Sequence, residues 1–190
     1  MDKIILSTKR VILRTWRPSD LAPMLAINAN PQVMKYFPST QNLDETQKLI
    51  DSCSSCYKKH GFTLFPVELK ETSEFIGFVG LNVPGFNIPN FKSKSDIIVE
   101  IGWRLGSNHW NNGYATEAAM AVLRYAFTTL NLTEIISFTT VNNRASRRVM
   151  EKIGLHYDAT SDFDHPKIAL SSLLRPHVLY RKTQIEILKK

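Results

Sequence analysis

The order of elements predicts a mixed α/β sheet with helices on both faces. Three observations carry this reading. Residues 96–105 and 135–141 are short runs rich in β-branched and aromatic side chains, the composition of strands. Between them Ala115, Ala118, Ala119, Val122, Leu123, Ala126, Phe127 and Leu130 recur at spacings of three and four, the period of a helix with one buried face. Residues 142–152 then read as a second helix, closed by Gly154 at a C-cap position.

The other elements follow in order. Residues 10–16 alternate, with Val11 and Leu13 on one side, and read as the first strand. Ser19 or Asp20 is the expected cap of a helix in which Leu21, Met24, Leu25 and Asn28 hold helical spacing. Asn30-Pro31 ends it. Asp44 is the expected cap of a longer helix that stops at Gly61. Residues 62–70 and 75–83 read as a hairpin or meander, with Gly77 and Gly80 marking a bulge or close backbone packing. Residues 83–95 are rich in Pro, Gly, Asn and Lys and read as a loop, either solvent-facing or a mobile flap beside an acceptor site. Residues 155–162 and 177–187 read as two further strands. With no repeat or low-complexity tract, one domain over residues 1–190 is expected.

Composition narrows the class of function. The net charge is +7, from 24 basic and 17 acidic residues. That charge suits nucleic acid, an anionic small molecule, or a basic surface with no role. No dense Lys/Arg block with interleaved aromatics is present, and the tightest cluster is Arg144, Arg147 and Arg148. An anionic small molecule is therefore favoured over direct nucleic-acid contact. No apolar run approaches the roughly 20 residues that span a bilayer, and the N-terminal apolar patch is too short for a signal peptide. Cytoplasmic residence, without membrane contact, is the expectation. Cys53 and Cys56 form a CxxC, but a second ligand pair is missing and the segment reads as helix. Packing is the expected role, and no metal is expected.

One turn stands out chemically. Asn111, Asn112, Gly113, Tyr114, Ala115 and Thr116 lead from a strand directly into the first long helix. A helix start carries unpaired N–H groups and a partial positive charge, a ready seat for a phosphate or pyrophosphate. Gly113 and Ala115 keep side chains out of the way of a close ligand.

The surrounding residues resemble a known family. Glu100-Ile-Gly-Trp103, then Trp110-Asn-Asn-Gly113-Tyr-Ala115-Thr-Glu117, then Asn143-Arg-Ala-Ser146-Arg-Arg-Val149-Met-Glu-Lys152-Ile-Gly154, resemble the acetyl-CoA-binding half of the GNAT N-acetyltransferase superfamily. The likeness is closest to its RimJ/RimL-like branch. Thr8-Lys-Arg-Val-Ile-Leu-Arg14 and Asn30-Pro31 look like that branch's opening, and Asp162-Phe-Asp-His165-Pro166 with Arg175-Pro-His177 looks like its ending.

The resemblance implies a sheet of about six or seven strands, with the cofactor in a splay between the two central ones. It implies an enzyme that moves an acetyl group from acetyl-CoA to a primary amine by direct attack in a ternary complex. The acceptor would be a protein or peptide N-terminus, as on a ribosomal protein, or a small-molecule amine. The alternative is a non-catalytic acyl-CoA-binding module. The chain would act as a monomer or homodimer. The backbone of Trp103, Arg104 and Leu105 would pair with the pantetheine arm like an added strand. The amides of residues 111–116 would take the pyrophosphate. Asn143 sits where the family places a cofactor-binding Asn, and is equally a good N-cap.

Two departures bear on catalysis. Trp110 stands where many relatives carry Gln or Arg, which leaves phosphate binding to amides and the helix end. Met150 stands where many carry the Tyr that protonates the departing thiolate. Ser146, a proposed acid in the branch, is one turn earlier; its other reading is a small residue near a helix start. For the base, Glu100 resembles the family's strand glutamate and ranks first, with a cross-strand hydrogen bond as its plain alternative. His165 ranks second, on its intrinsic pKa and the acidic residues beside it. Glu117 reads as a complement to the helix N-terminus.

Overall fold

A computed structural model describes residues 3–93 and 97–184. In chain order the strands are β1 (Ile4–Ser7), β2 (Val11–Arg14), β3 (Leu64–Leu69), β4 (Phe75–Asn82), β5 (Glu100–Leu105), β6 (Glu134–Thr140), β7 (His156–Tyr157), β8 (Phe163–Asp164) and β9 (Pro176–Thr183). The α-helices are α1 (Leu21–Asn28), α2 (Leu43–His60), α3 (Tyr114–Thr128) and α4 (Arg144–Lys152). The strands form one nine-stranded sheet, in the order β1-β2-β3-β4-β5-β6-β9-β7, with β8 beside β9. The pairs β1–β2, β2–β3, β3–β4, β6–β9, β7–β9 and β8–β9 are antiparallel, and β5 and β6 run parallel. The count exceeds the six or seven expected because β1, β7 and β8, of four, two and two residues, are too short to show an alternating pattern. The strand expected over residues 96–105 begins only at Glu100, residues 97–99 being irregular, while residue 96 and residues 185–187 of the last expected strand lie outside the described residues.

Two compact units divide the chain. One holds the residues up to Asn82 with Gly102–Val122, the other Val83–Ile101 with the residues from Leu123 onward. In the first, α1 packs on α2 and β4. Its core is Met24, Ile50 and Phe78, with Trp16, Ile27 and Leu64 packed against it. In the second, α4 packs on β6 and β7, and Ile88, Ile136, Phe163 and Leu179 form a core.

Local signals set most boundaries. Asn42, rather than Asp44, caps α2: its side chain accepts from the Glu45 N–H at 2.9 Å, and Glu45 accepts from the Asn42 N–H at 2.8 Å. This reciprocal pair satisfies two of the helix's orphan donors. Gly61 ends the helix at φ 76°, where glycine meets no Cβ penalty. Asp20 does not cap α1 with its side chain. Its carboxylate instead takes both terminal nitrogens of Arg14, at 2.7 and 2.8 Å, and the Arg17 N–H at 2.8 Å. Gly77 and Gly80 mark close approach, as expected. A Cβ on Gly77 would stand 2.1 Å from the Arg104 carbonyl oxygen, and one on Gly80 2.0 Å from that of Thr63.

Within residues 83–93, the described part of the loop after β4, apolar side chains are packed rather than left to solvent. Phe86 lies 4.5 Å from the His165 ring and 5.8 Å from Phe138, and Ile88 is 5% exposed. Burial of these apolar groups holds the segment down.

Arg14 is the largest fully buried side chain of the first unit, and it is charged. Besides Asp20 it donates Nε to Glu68 at 2.8 Å. Removing it would strand two buried carboxylates. Arg14→Met is expected to cost about 3–5 kcal/mol in urea denaturation; a loss under about 1 kcal/mol would show that the network contributes little.

Candidate functional site

The candidate residues fall in both units. In the first, the turn before α3 is built from two left-handed residues, Asn111 at φ 61° and Gly113 at φ 81°. Alternating handedness of this kind turns successive N–H groups toward one side, a concavity that suits an anion. Asn111, Asn112 and Gly113 are exposed, and Tyr114, Ala115 and Thr116 are half-buried. The Trp110 indole folds back and donates to the Leu105 carbonyl at 2.8 Å. The Asn112 side chain donates to the Trp110 carbonyl at 3.1 Å.

The sequence reading left this turn without a cation, and the fold supplies one. Arg10, from the turn between β1 and β2, donates to the Asn112 carbonyl at 2.9 Å and covers the Tyr114 ring at 4.6 Å. Its terminal nitrogen would stand 3.4 Å from a Cβ on Gly113. Glu117 holds it there. The Glu117 carboxylate accepts from Arg10 Nε at 2.7 Å, the Arg10 N–H at 2.8 Å and the Thr8 hydroxyl at 2.6 Å. Glu117 is thus a clamp between the first hairpin and α3, rather than merely a complement to the helix end. No local signal joins residues 107 positions apart.

On β5 the three residues expected to pair with a pantetheine arm behave differently. The Arg104 carbonyl is directed at β4, against Gly77. Successive carbonyls of a strand point to opposite edges, so Trp103 and Leu105 face the other way. On that edge the Leu105 carbonyl already accepts the Trp110 indole. The Arg104 carbonyl thus faces β4, on the edge opposite to that of Trp103 and Leu105, and Arg104 carries further chemistry in its side chain. That guanidinium donates Nη1 to Asn28 Oδ1 at 2.6 Å and Gln41 Oε1 at 3.2 Å. It lies 4.3 Å from the Phe37 ring and 5.4 Å from Phe78. Burial pulls its pKa down to about 10.

In the second unit, Glu100 opens β5 and pairs in register with Ile136 of β6. The Ile136 N–H donates to the Val99 carbonyl at 3.0 Å. At the next step the Ile101 carbonyl takes the Ser137 hydroxyl at 2.8 Å. A side chain thus stands in for the ladder at the point where the resemblance places the splay. Glu100 makes no hydrogen bond or ion pair among the described residues, so the cross-strand bond is not formed. Desolvation alone pushes its pKa up to about 8.

Asn143 is the N-cap of α4. Its side-chain oxygen accepts the Ser146 N–H at 3.2 Å and its amide donates to the Thr139 hydroxyl at 3.0 Å. The Ser146 hydroxyl is half-buried and has no partner among the described residues. Met150 is 1% exposed and belongs to the core.

His165 sits among Phe86, Phe138, Phe163 and His177, with ring centroids 4.5 to 6.3 Å away. Burial, then His177, Lys167 and Arg175, pull its pKa down to about 4. The acidic neighbours do not tune it: Asp164 is turned to Arg175 at 3.2 Å. His165 is neutral at pH 7 and too weak a base to take a proton from an ammonium group. An open cavity of about 580 Å³ lies beside this cluster, lined by Asp162, Phe163, Asp164, Arg175 and His177 among others, but not by His165. Cys53 is buried, and burial pushes its thiol up to about 11, which fits packing rather than redox chemistry. No group of three or more His, Cys, Asp or Glu placed to hold a metal occurs among the described residues.

A model of the acetyltransferase (GNAT) domain matches residues 10–156. This chain belongs to the GNAT acetyltransferase family. It is 33% identical over 159 residues to the uncharacterized protein YkkB of Bacillus subtilis, covering 83% of this chain and 88% of that one. It is 39% identical over 95 residues to the FsC-acetyl coenzyme A-N(2)-transacetylase of Aspergillus fumigatus, covering 49% of this chain and 40% of that one. A GNAT-family acetyltransferase structure from Bacillus anthracis superposes with a TM-score of 0.76 at 24% identity, over 95% of this chain and 98% of that one. The GNAT fold is thereby shown, and the turn at residues 111–116 lies within the matched segment.

The Glu117 clamp has a pH signature. Its hydrogen bonds to Thr8 and Arg10 hold its folded pKa below the ordinary 4.5. The clamp therefore adds stability above pH 4.5 and loses it as pH falls through the lower folded value. Thermal melts from pH 7 to 2 are expected to show this component in the native chain and not in Glu117→Gln; parallel curves for the two would remove the clamp from the account.

Proposed function

We propose that this chain is a RimJ/RimL-like N-acetyltransferase, resident in the cytoplasm, that moves the acetyl group of acetyl-CoA to a primary amine. The observation that carries the reading is the pair of left-handed residues, Asn111 and Gly113, opening α3 with Arg10 beside them. Amides and a helix end suit a pyrophosphate, and a guanidinium adds the cation such a group attracts. The A. fumigatus relative is named for acetyl coenzyme A and for a nitrogen acceptor, which supports the same donor and acceptor classes here.

The chemistry follows from what the residues offer. An amine arrives protonated and must lose a proton before it attacks. Glu100, held near 8 by desolvation, is matched to that task around neutrality. The neutral amine adds to the thioester carbonyl and the carbon–nitrogen bond forms, which leaves a second proton on the nitrogen. As the carbon–sulfur bond breaks, that proton passes by way of Ser146 or water to the departing thiolate, since Met150 has none to give. Trp103 and Leu105 in the first unit, and Asn143 in the second, are the residues for which the resemblance implies a part in holding the donor. The acceptor is a protein N-terminus or a small amine.

Calorimetric titration with acetyl-CoA, then thiol release against amines and N-terminal peptides, tests this reading. Binding with release for some amine is expected. Binding without release across the panel would favour a non-catalytic acyl-CoA module, and no binding would overturn the reading. Glu100 makes a sharper prediction. The rate is expected to rise with pH and level off above about 8. Glu100→Gln should remove that inflection and lower kcat by roughly 10²–10⁴-fold, whereas His165→Asn should leave the inflection in place. An unchanged profile in Glu100→Gln would dismiss it as the base.

A further inference from the structure

Among the described residues, the Arg104 side chain is a cation without a counter-ion. Its carbonyl faces β4, and the side-chain hydrogen bonds it makes there run from Nη1 to two neutral amides. Nε is buried with no partner. Nη2 makes no hydrogen bond among the described residues. The ionisable group that acts on it is the Cys53 thiol, which burial keeps protonated and neutral. No carboxylate among the described residues pairs with it. Contrast Arg14 in the same unit, which is fully buried, where Arg104 is half-buried, and is bound by Asp20 and Glu68. A desolvated, unpaired charge is costly, and structures retain one where something outside the fold completes it.

The shape of the vacant edge suggests what completes it. Nε and Nη2 lie side by side in the plane of the guanidinium, the fork that takes two oxygens of one planar anion. Phe37 and Phe78 wall the group at 4.3 and 5.4 Å. With a ring beside it on two sides, the guanidinium is left to meet a partner in its own plane, where a carboxylate presents both of its oxygens. Phe37 is itself 39% exposed, which puts this side of the group near solvent. The contacts fall on Asn28 at the end of α1 and on Gln41 just before α2; the resemblance to the GNAT superfamily implies that these two early helices cover one end of the cleft that receives the acceptor.

We propose that Arg104 is the acceptor-specificity residue, and that the acceptor is a small primary amine carrying a carboxylate, of the amino-acid kind, rather than a polyamine. The inference deepens the N-acetyltransferase reading and rests on it. Asn28 and Gln41 orient the fork by holding Nη1, and Phe37 covers the carboxylate once it is seated. A purely structural tie between β5 and the segment before α2 would have no use for the free edge.

Matched acceptors test this without a variant. Amino acids are compared with their carboxamides, and spermidine serves as an amine without a carboxylate. The carboxylate forms are expected to exceed the carboxamides in kcat/KM by on the order of 10–100-fold, the worth of a hydrogen bond to a charged group. Arg104→Gln should erase the difference through KM, with the acetyl-CoA Kd unchanged, and Arg104→Lys should restore part of it. A structural role would lower the melting temperature of both variants and leave the ratio intact. Equal rates for acid and carboxamide, or a preference for spermidine, would overturn the proposal. A second arm needs no turnover. In the presence of CoA, N-acetylated amino acids should raise the melting temperature more than their carboxamides, and inorganic phosphate should not substitute. Stabilisation by phosphate but not by the carboxylates would also overturn it. Failure to bind acetyl-CoA would count against the acetyltransferase reading alone, because this arm still decides whether Arg104 takes a carboxylate.

Discussion

The close approach of β5 to β4 is the constraint on which the first unit's chemistry depends. A Cβ at Gly77 would collide with the Arg104 carbonyl, standing 2.1 Å from it, so only glycine allows that spacing. With the Arg104 carbonyl facing β4, the neighbouring residues Trp103 and Leu105 direct their backbone groups to the opposite edge. The Trp110 indole then closes on the Leu105 carbonyl and sets the start of the turn at residues 111–116. A single missing methyl group therefore underlies the edge, the turn and the placement of the Arg104 side chain.

Electrostatics divide the candidate residues into three kinds. Arg14 and Glu117 are fully partnered and act as structure, joining segments distant in the chain. Glu100 and Arg104 are desolvated and meet no opposite charge among the described residues, so burial raises the first to about 8 and lowers the second to about 10. His165 is desolvated among rings and cations, and is thereby kept neutral at physiological pH. The same physical cause, loss of water, makes Glu100 a better base and His165 a worse one. An acid's charged form is the base, whereas histidine's charged form is the proton-bearing product.

Much of the fold was legible in the sequence. The buried face of α3 carries Ala118, Ala119, Val122, Leu123, Ala126 and Phe127, as their spacing implied. Gly61 and Asn143 end and begin helices where their chemistry suggested. Gly77 and Gly80 mark close packing. Where the reading failed, longer-range contacts won. Asp20 was drawn away from its helix by Arg14. The apolar groups of the loop after β4 were drawn into the second unit's core. Two-residue strands such as β7 exist only because β9 is there to pair with them.

The sequence by itself determined the order of elements, the helix faces, the caps and the turn that opens α3. Those features arise from interactions within a turn or two of chain, so residue type and spacing express them. The tertiary structure alone decided which charges are paired, which are stripped of water, and which groups share a neighbourhood. Arg10 reaches the turn before α3 across 102 residues, and Arg104 meets Asn28 across 76. Desolvation and ion pairing depend on neighbours in space, and residue spacing along the chain carries no record of them.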